Sequence, residues 1–264
     1  MKTFVTRSVL CFVMGFALAN LLLLASAAQQ APPSNLPASP QPQPAGQSKD
    51  AADPKATEKA QGTSNDRLFY ALPNFLTLEN GGQLPPLTAG QKFKVVARGS
   101  FDYIQIPWYA FLSGISQAEN SEPGYGQGAE GYGKRFGAAF ADGAIENFMT
   151  GAILPSLLRQ DPRFFQSSQG GFIHRTGYAV SRIFITRTDS GHPQFNYSEI
   201  VGGAMSAAIS TYSYHPQADR TLSNTASVWG TQVGYDTITI VVKEFWPDIR
   251  RKLGKKRRPP SNPS

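Results

Sequence analysis

The sequence predicts a mostly α fold. It reads as a single compact helical domain of about five helices with an extended N-terminal wrap, set behind a disordered tether. Three observations predict this. Apolar residues recur at helical spacing, as in Leu222, Ala226, Trp229, Val233 and Ile240. Capping and stop signals recur at intervals that suit helices of ordinary length. The stretch 67–253 is long enough to build one sizeable core and shows no second linker or internal repeat.

Taken in order, residues 1–27 have the form of a secretory signal. Lys2 and Arg7 precede an uncharged apolar run from Val9 to Leu24, and Ala25-Ser26-Ala27 is an A-x-A cleavage site. An uncleaved anchor helix is the alternative, although the run is short for a span of about 20 residues. Residues 28–66 are rich in Pro, Ala, Gln and Ser and hold no aromatic residue. Such a composition cannot bury enough apolar surface to offset its ordering entropy, so a disordered linker is expected.

Aromatics become frequent at Arg67. Pro73, Gly81-Gly82 and Pro85-Pro86 make the next twenty residues an extended wrap. Thr88-Ala89-Gly90-Gln91 is a capping box that opens a helix over 88–98, ended by Gly99. Ser100 or Asp102 then caps a second helix to about Ala118, with Pro107 kinking it or delaying its start. Residues 119–133 read as a flexible Gly-rich loop. A long helix follows from Gly133 to Leu158, disturbed in its last turn by Pro155 and stopped by Asp161-Pro162. Further helices are expected over 173–187 and 198–212. The last runs from Leu222 to Phe245, although the β-branched run Thr237 to Val242 would also suit a strand. Residues 254–264 are read as a basic disordered tail.

Small residues fall four apart in three of these segments: Gly133, Gly137 and Ala141; Gly202, Ser206 and Ser210; Gly230 and Gly234. Each set makes a flat strip on which another helix can lie close. The strips suit tight packing in a soluble bundle, or packing of embedded helices. Ile200 to Tyr214 carries no charge but is too short to span the hydrocarbon of a membrane.

Composition excludes several function classes. The single cysteine, Cys11, lies in the signal, so the remainder has no disulfide, thiolate metal ligand or thiol nucleophile. That usage suits a bacterial periplasm or cell envelope. The formal net charge is +7, from 25 basic and 18 acidic residues. Arg250, Arg251, Lys252, Lys255, Lys256, Arg257 and Arg258 supply most of that excess, so the body carries no electrostatic footprint for nucleic acid. These residues, with Trp246 at the headgroup level, suit an anionic membrane or wall polymer. A solvated, solubilising end fits them equally.

No catalytic signature stands out. Gly126, Gly128 and Gly131 spell G-x-G-x-x-G, but Glu119 to Pro123 before them is no strand, so no dinucleotide cofactor is expected. G-x-S-x-G, S-x-x-K and a P-loop are absent. His174, His192, Asp161, Asp189 and Glu199 are catalytic candidates, as a His/carboxylate set assembled from loops. His215 is the third histidine, and no histidine pair has the i,i+4 spacing of a helical zinc site, so no metal is expected. Asp142 and Glu146 share a helix face and could act as paired acid and base, or as partners for Lys134, Arg135 or an arginine of another helix. Arg163, Arg175, Arg182, Arg187 and Arg220 stand among aromatics. They could receive a phosphate or carboxylate, or tie loops to helices.

Several stretches resemble a family of exported bacterial envelope proteins with no known activity. They are Gly114 to Gln117, Glu130 to Arg135, Gln160 to Phe164, Phe195 to Glu199 and Glu244-Phe245-Trp246-Pro247-Asp248. The resemblance implies the compartment and brings no catalytic residue or cofactor. The expected function is a structural or interaction role at a membrane or wall surface. The alternatives are a hydrolase of an envelope polymer or lipid, and a small membrane-embedded helical protein.

Overall fold

Thr88 opens the first helix as the sequence predicts. Its hydroxyl accepts from the Gln91 amide, and the Gln91 side chain accepts from the Thr88 amide at 2.8 Å. In this computed structural model, which describes residues 63–79 and 84–256, the architecture is mostly helical, with six helices of at least 12 residues. They are α1 (Ala89–Ser100), α2 (Gln105–Glu119), α3 (Gly128–Phe148), α5 (Phe172–Phe184), α6 (Tyr197–Ser213) and α7 (Leu222–Lys256). The short turn α4 (Leu154–Leu157) follows α3. The signal and nearly all of the tether lie outside the described residues.

The wrap is real and is held by short strands. β1 (Arg67–Leu68) and β2 (Leu72–Pro73) form an antiparallel hairpin. β3 (Thr77–Leu78) runs parallel to β5 (Phe164–Phe165). β4 (Gln160–Asp161), β6 (Ile185–Thr188) and β7 (Pro193–Phe195) make a three-stranded sheet. The helix expected over 173–187 therefore ends at Phe184, because the β-branched Ile185 to Thr188 pair with β4 and β7 instead.

Pro155 acts where expected. It has no amide proton and its ring crowds the carbonyl four residues back. The chain widens into a π turn over Met149–Ile153 before it. At the start of α2 no side chain makes the N-cap bond, although Asp102 Oδ1 accepts from the Ile104 amide at 3.2 Å. The α2 end is Asn120, left-handed at φ 47°. The loop before α3 is not loose. Arg135 is buried and donates to Gly126 O at 2.7 Å, Gln117 Oε1 at 2.6 Å and Glu122 O at 2.8 Å. A Cβ at Gly131 would stand 2.5 Å from Gly126 O, so the glycines serve this compact turn.

Residues 237–242 are helical, which settles the strand alternative. α7 continues through Lys256, past the expected end at Phe245 and past the expected start of the tail. It does so across Pro247. The missing Pro247 amide would free the Lys243 carbonyl, and the Gln166 side-chain amide donates to it. The next turn is pinned harder. Glu244 is fully buried and accepts from Ser167 N at 3.0 Å, Ser168 N at 3.1 Å and Arg175 Nε at 2.8 Å. Arg175 also reaches Asp248 Oδ2 at 2.6 Å and covers the Phe245 ring at 4.4 Å.

Trp246 corrects an expectation. It is fully buried, not at a surface, and Phe69 and Tyr70 pack on it at 5.1 and 5.8 Å between ring centroids. Both residues sit at the hairpin tip with positive φ, 51° and 63°. Such angles are unfavourable for aromatic side chains, and contact with Trp246 offsets the strain.

The small-residue strips divide. The α6 strip is a packing surface: a Cβ at Gly202 would meet Leu154 at 3.1 Å, and one at Gly203 would meet Trp229 of α7 at 3.3 Å. Ser206 and Ser210 are buried beside them. A Cβ at Gly133, Gly137, Gly230 or Gly234 would meet nothing within 4 Å among the described residues, so no described helix lies against those glycines.

The core is modest. One apolar cluster joins Phe75, Val95, Val96 and Ala152, and another joins Phe164, Ala179 and Val241. Among the described residues, buried polar side chains are at least as numerous as buried apolar ones. Lys92 shows how such groups are held. Its buried ammonium donates to Pro155 O at 3.2 Å, Gln160 O at 2.8 Å and Asp189 Oδ1 at 2.8 Å, tying α1 to the end of α4 and to the three-stranded sheet.

Candidate functional site

The charges that interrupt α3, α6 and α7 meet in the bundle interior. Glu199 of α6 and Asp236 of α7 share a hydrogen bond, with Glu146 of α3 and Lys243 of α7 close enough to act on them electrostatically. Dense packing disfavours every charge in this set. Burial, with the field of Asp236 and then Asp142, pushes the Glu146 carboxyl up to about 8. Burial and the Asp236 carboxylate raise Glu199 well above its ordinary value. Burial also raises Asp236, against the bond from Glu199. Burial lowers the Lys243 ammonium.

Glu199, Asp236 and Lys243 keep surface only in part, and they line a cavity of about 150 Å³ bounded by α5, α6, α7, β4, β5 and β6. The lining also carries Asp161, Arg163, Arg182 and Arg187. Asp161 and Arg163 satisfy each other, with Nε–Oδ1 at 2.9 Å and Nη2–Oδ2 at 2.7 Å. Gln160 spends its amide on Ser198 Oγ at 2.6 Å and Phe195 O at 2.7 Å.

A second node lies at the other end of α6. His215 Nε2 is 3.2 Å from Asp142 Oδ2, and its Nδ1 is 3.1 Å from Glu122 Oε1 without hydrogen-bond geometry. Ser210 and Tyr214 both donate to Asp142 Oδ1. Burial alone would lower His215, but the bond to Asp142 and the adjacent Glu122 carboxylate override it and raise it to about 10. A proton held that firmly is structural at neutral pH.

The expected catalytic candidates do not form one site. Asp161 is taken by Arg163, Asp189 by Lys92, and Glu199 by Asp236. His174 and His192 are exposed on α5 and in the β6–β7 turn. Asp142 and Glu146 do not pair with Lys134 or Arg135: Lys134 meets Glu130 at 2.6 Å, and Arg135 serves the loop. Of the arginines, Arg163 and Arg175 are structural ties, Arg220 donates to His215 O at 2.9 Å, and Arg182 and Arg187 remain at the cavity. Asp236 and Lys243 were not among the expected site residues. Their signal was charge within and at the end of the otherwise uncharged stretch from Val233 to Lys243 of one helix.

The exterior is as unusual as the interior. Tyr197, Val201, Met205, Ile209 and Tyr212 form an exposed stripe along α6. Phe101, Tyr103, Ile106, Trp108 and Phe111 are exposed at and around the start of α2. At the basic end, Arg250 is engaged by Asp66 at 3.0 Å and by Glu79, and Arg251 by Asp248. Lys252 is exposed; Arg257, Arg258 and the side chains of Lys255 and Lys256 lie outside the described residues. No helix of the described residues is long and apolar enough to cross a membrane, and no group of His, Cys, Asp and Glu among them could hold a metal ion. Comparisons with protein families, curated proteins and solved structures gave no match.

Proposed function

We propose that this chain is a bacterial envelope protein with a structural or interaction role, whose helical body lies against a membrane with its apolar faces in one leaflet. The observation that carries the reading is the polarity of α6. Its outer face is Tyr197, Val201, Met205, Ile209 and Tyr212, while its inner face buries Ser198, Ser206, Ser210 and Thr211. A helix that keeps hydroxyls inside and aliphatic groups outside is patterned against water on its outer side. Two tyrosines bracket the aliphatic stretch, as suits residues at a membrane–water boundary. Seventeen residues at about 1.5 Å each give about 25 Å, less than the ~30 Å hydrocarbon layer, so contact within one leaflet fits better than crossing. The exposed aromatics near α2 extend the same apolar surface. Exposed Lys252 and the basic residues after it add attraction to anionic headgroups. The export signal expected over residues 1–27 would deliver the chain to this compartment.

Cells expressing the full chain are fractionated, and the membrane pellet is washed with high salt and then with alkaline carbonate. Retention through the salt wash is expected, because apolar contact is not screened. Complete release by salt would overturn the apolar reading and leave only a charge-held protein. Recovery in the soluble fraction as a stable oligomer would make the α6 stripe a protein interface instead.

A further inference from the structure

Charges removed from water are stable when paired or hydrogen bonded. On the cavity lining, Arg182, Arg187 and Lys243 are each half-buried and only weakly paired. Arg182 donates only to Ser181 Oγ, at 3.3 Å from Nε and 3.2 Å from Nη2, and lies 4.8 Å from the Tyr178 ring centroid. Arg187 lies 4.7 Å over the Phe165 ring. Neither guanidinium meets a carboxylate among the described residues, although Arg163 beside them is bound twice by Asp161. Lys243, half-buried on the same lining, makes no hydrogen bond or ion pair with a described residue, and the fields of Asp236 and Glu199 reach it. Glu199, Asp236 and Lys243 lie on the same cavity lining as the two arginines. Aromatic faces hold both guanidinium planes in place, and a fixed planar fork suits a planar or tetrahedral oxyanion.

We propose that this cavity binds a small molecule by an oxyanion, a carboxylate or a phosphate group, which Arg182 and Arg187 receive while Lys243, Glu199 and Asp236 line the same cavity. The volume of about 150 Å³ sets the size. At about 30 Å³ for each water it equals roughly five waters, room enough for inorganic phosphate or a short organic acid. The site draws on residues of α5, β6, α6 and α7, so it exists only in the folded domain.

The test is isothermal titration of the full chain, in non-ionic detergent at constant ionic strength, with inorganic phosphate and separately with acetate. Saturable binding of one probe is expected, and which probe binds identifies the group. Arg182→Gln and Arg187→Gln are each expected to weaken it at least about tenfold while the far-ultraviolet circular dichroism is retained. Arg182→Lys keeps the charge and loses the fork, and is expected to lose most of the affinity in a folded protein. Absence of saturable binding by either probe overturns the proposal. So does binding that survives undiminished in the arginine variants.

Discussion

Replacing Val201, Met205 and Ile209 together by serine removes the aliphatic part of the α6 stripe and leaves its buried face untouched. The three residues are 43%, 43% and 41% exposed. Full burial of such side chains is worth about 1.5–3 kcal/mol each, so the exposed two-fifths is worth about 0.6–1.2 kcal/mol. The three together give about 1.8–3.6 kcal/mol of membrane contact. At about 1.4 kcal/mol per tenfold, partitioning onto lipid should fall roughly 20- to 400-fold. The assay is flotation of the full chain with neutral phosphatidylcholine vesicles, so that the basic end contributes nothing. Circular dichroism should be unchanged, since serine costs an exposed helix only about half a kcal/mol per position. A change below threefold would refute the reasoning and would mean that the stripe does not meet lipid.

Three further outcomes follow from the interior. Glu244→Gln leaves Arg175 with Asp248 as its carboxylate partner and removes the charge from the bonds that Ser167 N and Ser168 N donate, so unfolding in denaturant should show a loss of about 3 kcal/mol; a loss under 1 kcal/mol would contradict the pinning of α7. Glu146 is a carboxyl raised to about 8, so its stability contribution is greatest when protonated and is lost as pH rises from about 4.5 to 8. Glu146→Gln should therefore become stabilising relative to the natural chain across that window, by up to about 1.4 kcal/mol per pH unit, and a pH-independent difference would count against it. His215 is raised, so its contribution is complete below about 6.5 and lost as pH climbs through about 10. The Tm gap between the natural chain and His215→Gln should be constant below pH 6.5 and shrink toward pH 10; a gap that grows with pH would reverse the assignment.

The sequence by itself determined the helical class, the wrap, the capping box at Thr88 and the disturbance at Pro155. Each is a local matter of side-chain chemistry within a few residues of the backbone it controls. It also marked Glu199 as chemically notable, while pairing it with the wrong neighbours. Only the tertiary structure decided that Trp246 lies inside the fold, because its burial depends on a hairpin 176 positions away in the chain, Phe69 and Tyr70. It also decided that α7 runs through Pro247, since the carbonyl that proline frees is satisfied by Gln166 from a distant loop. The cavity belongs to the same class. Arg182, Glu199, Asp236 and Lys243 come from three helices, and no spacing along one chain encodes their convergence. The α6 pattern was legible as a periodicity, but which face would be buried was not. The choice fell to the small side, because Gly202, Gly203 and Ser206 allow neighbouring helices to approach closely, and the bulky side was left outside.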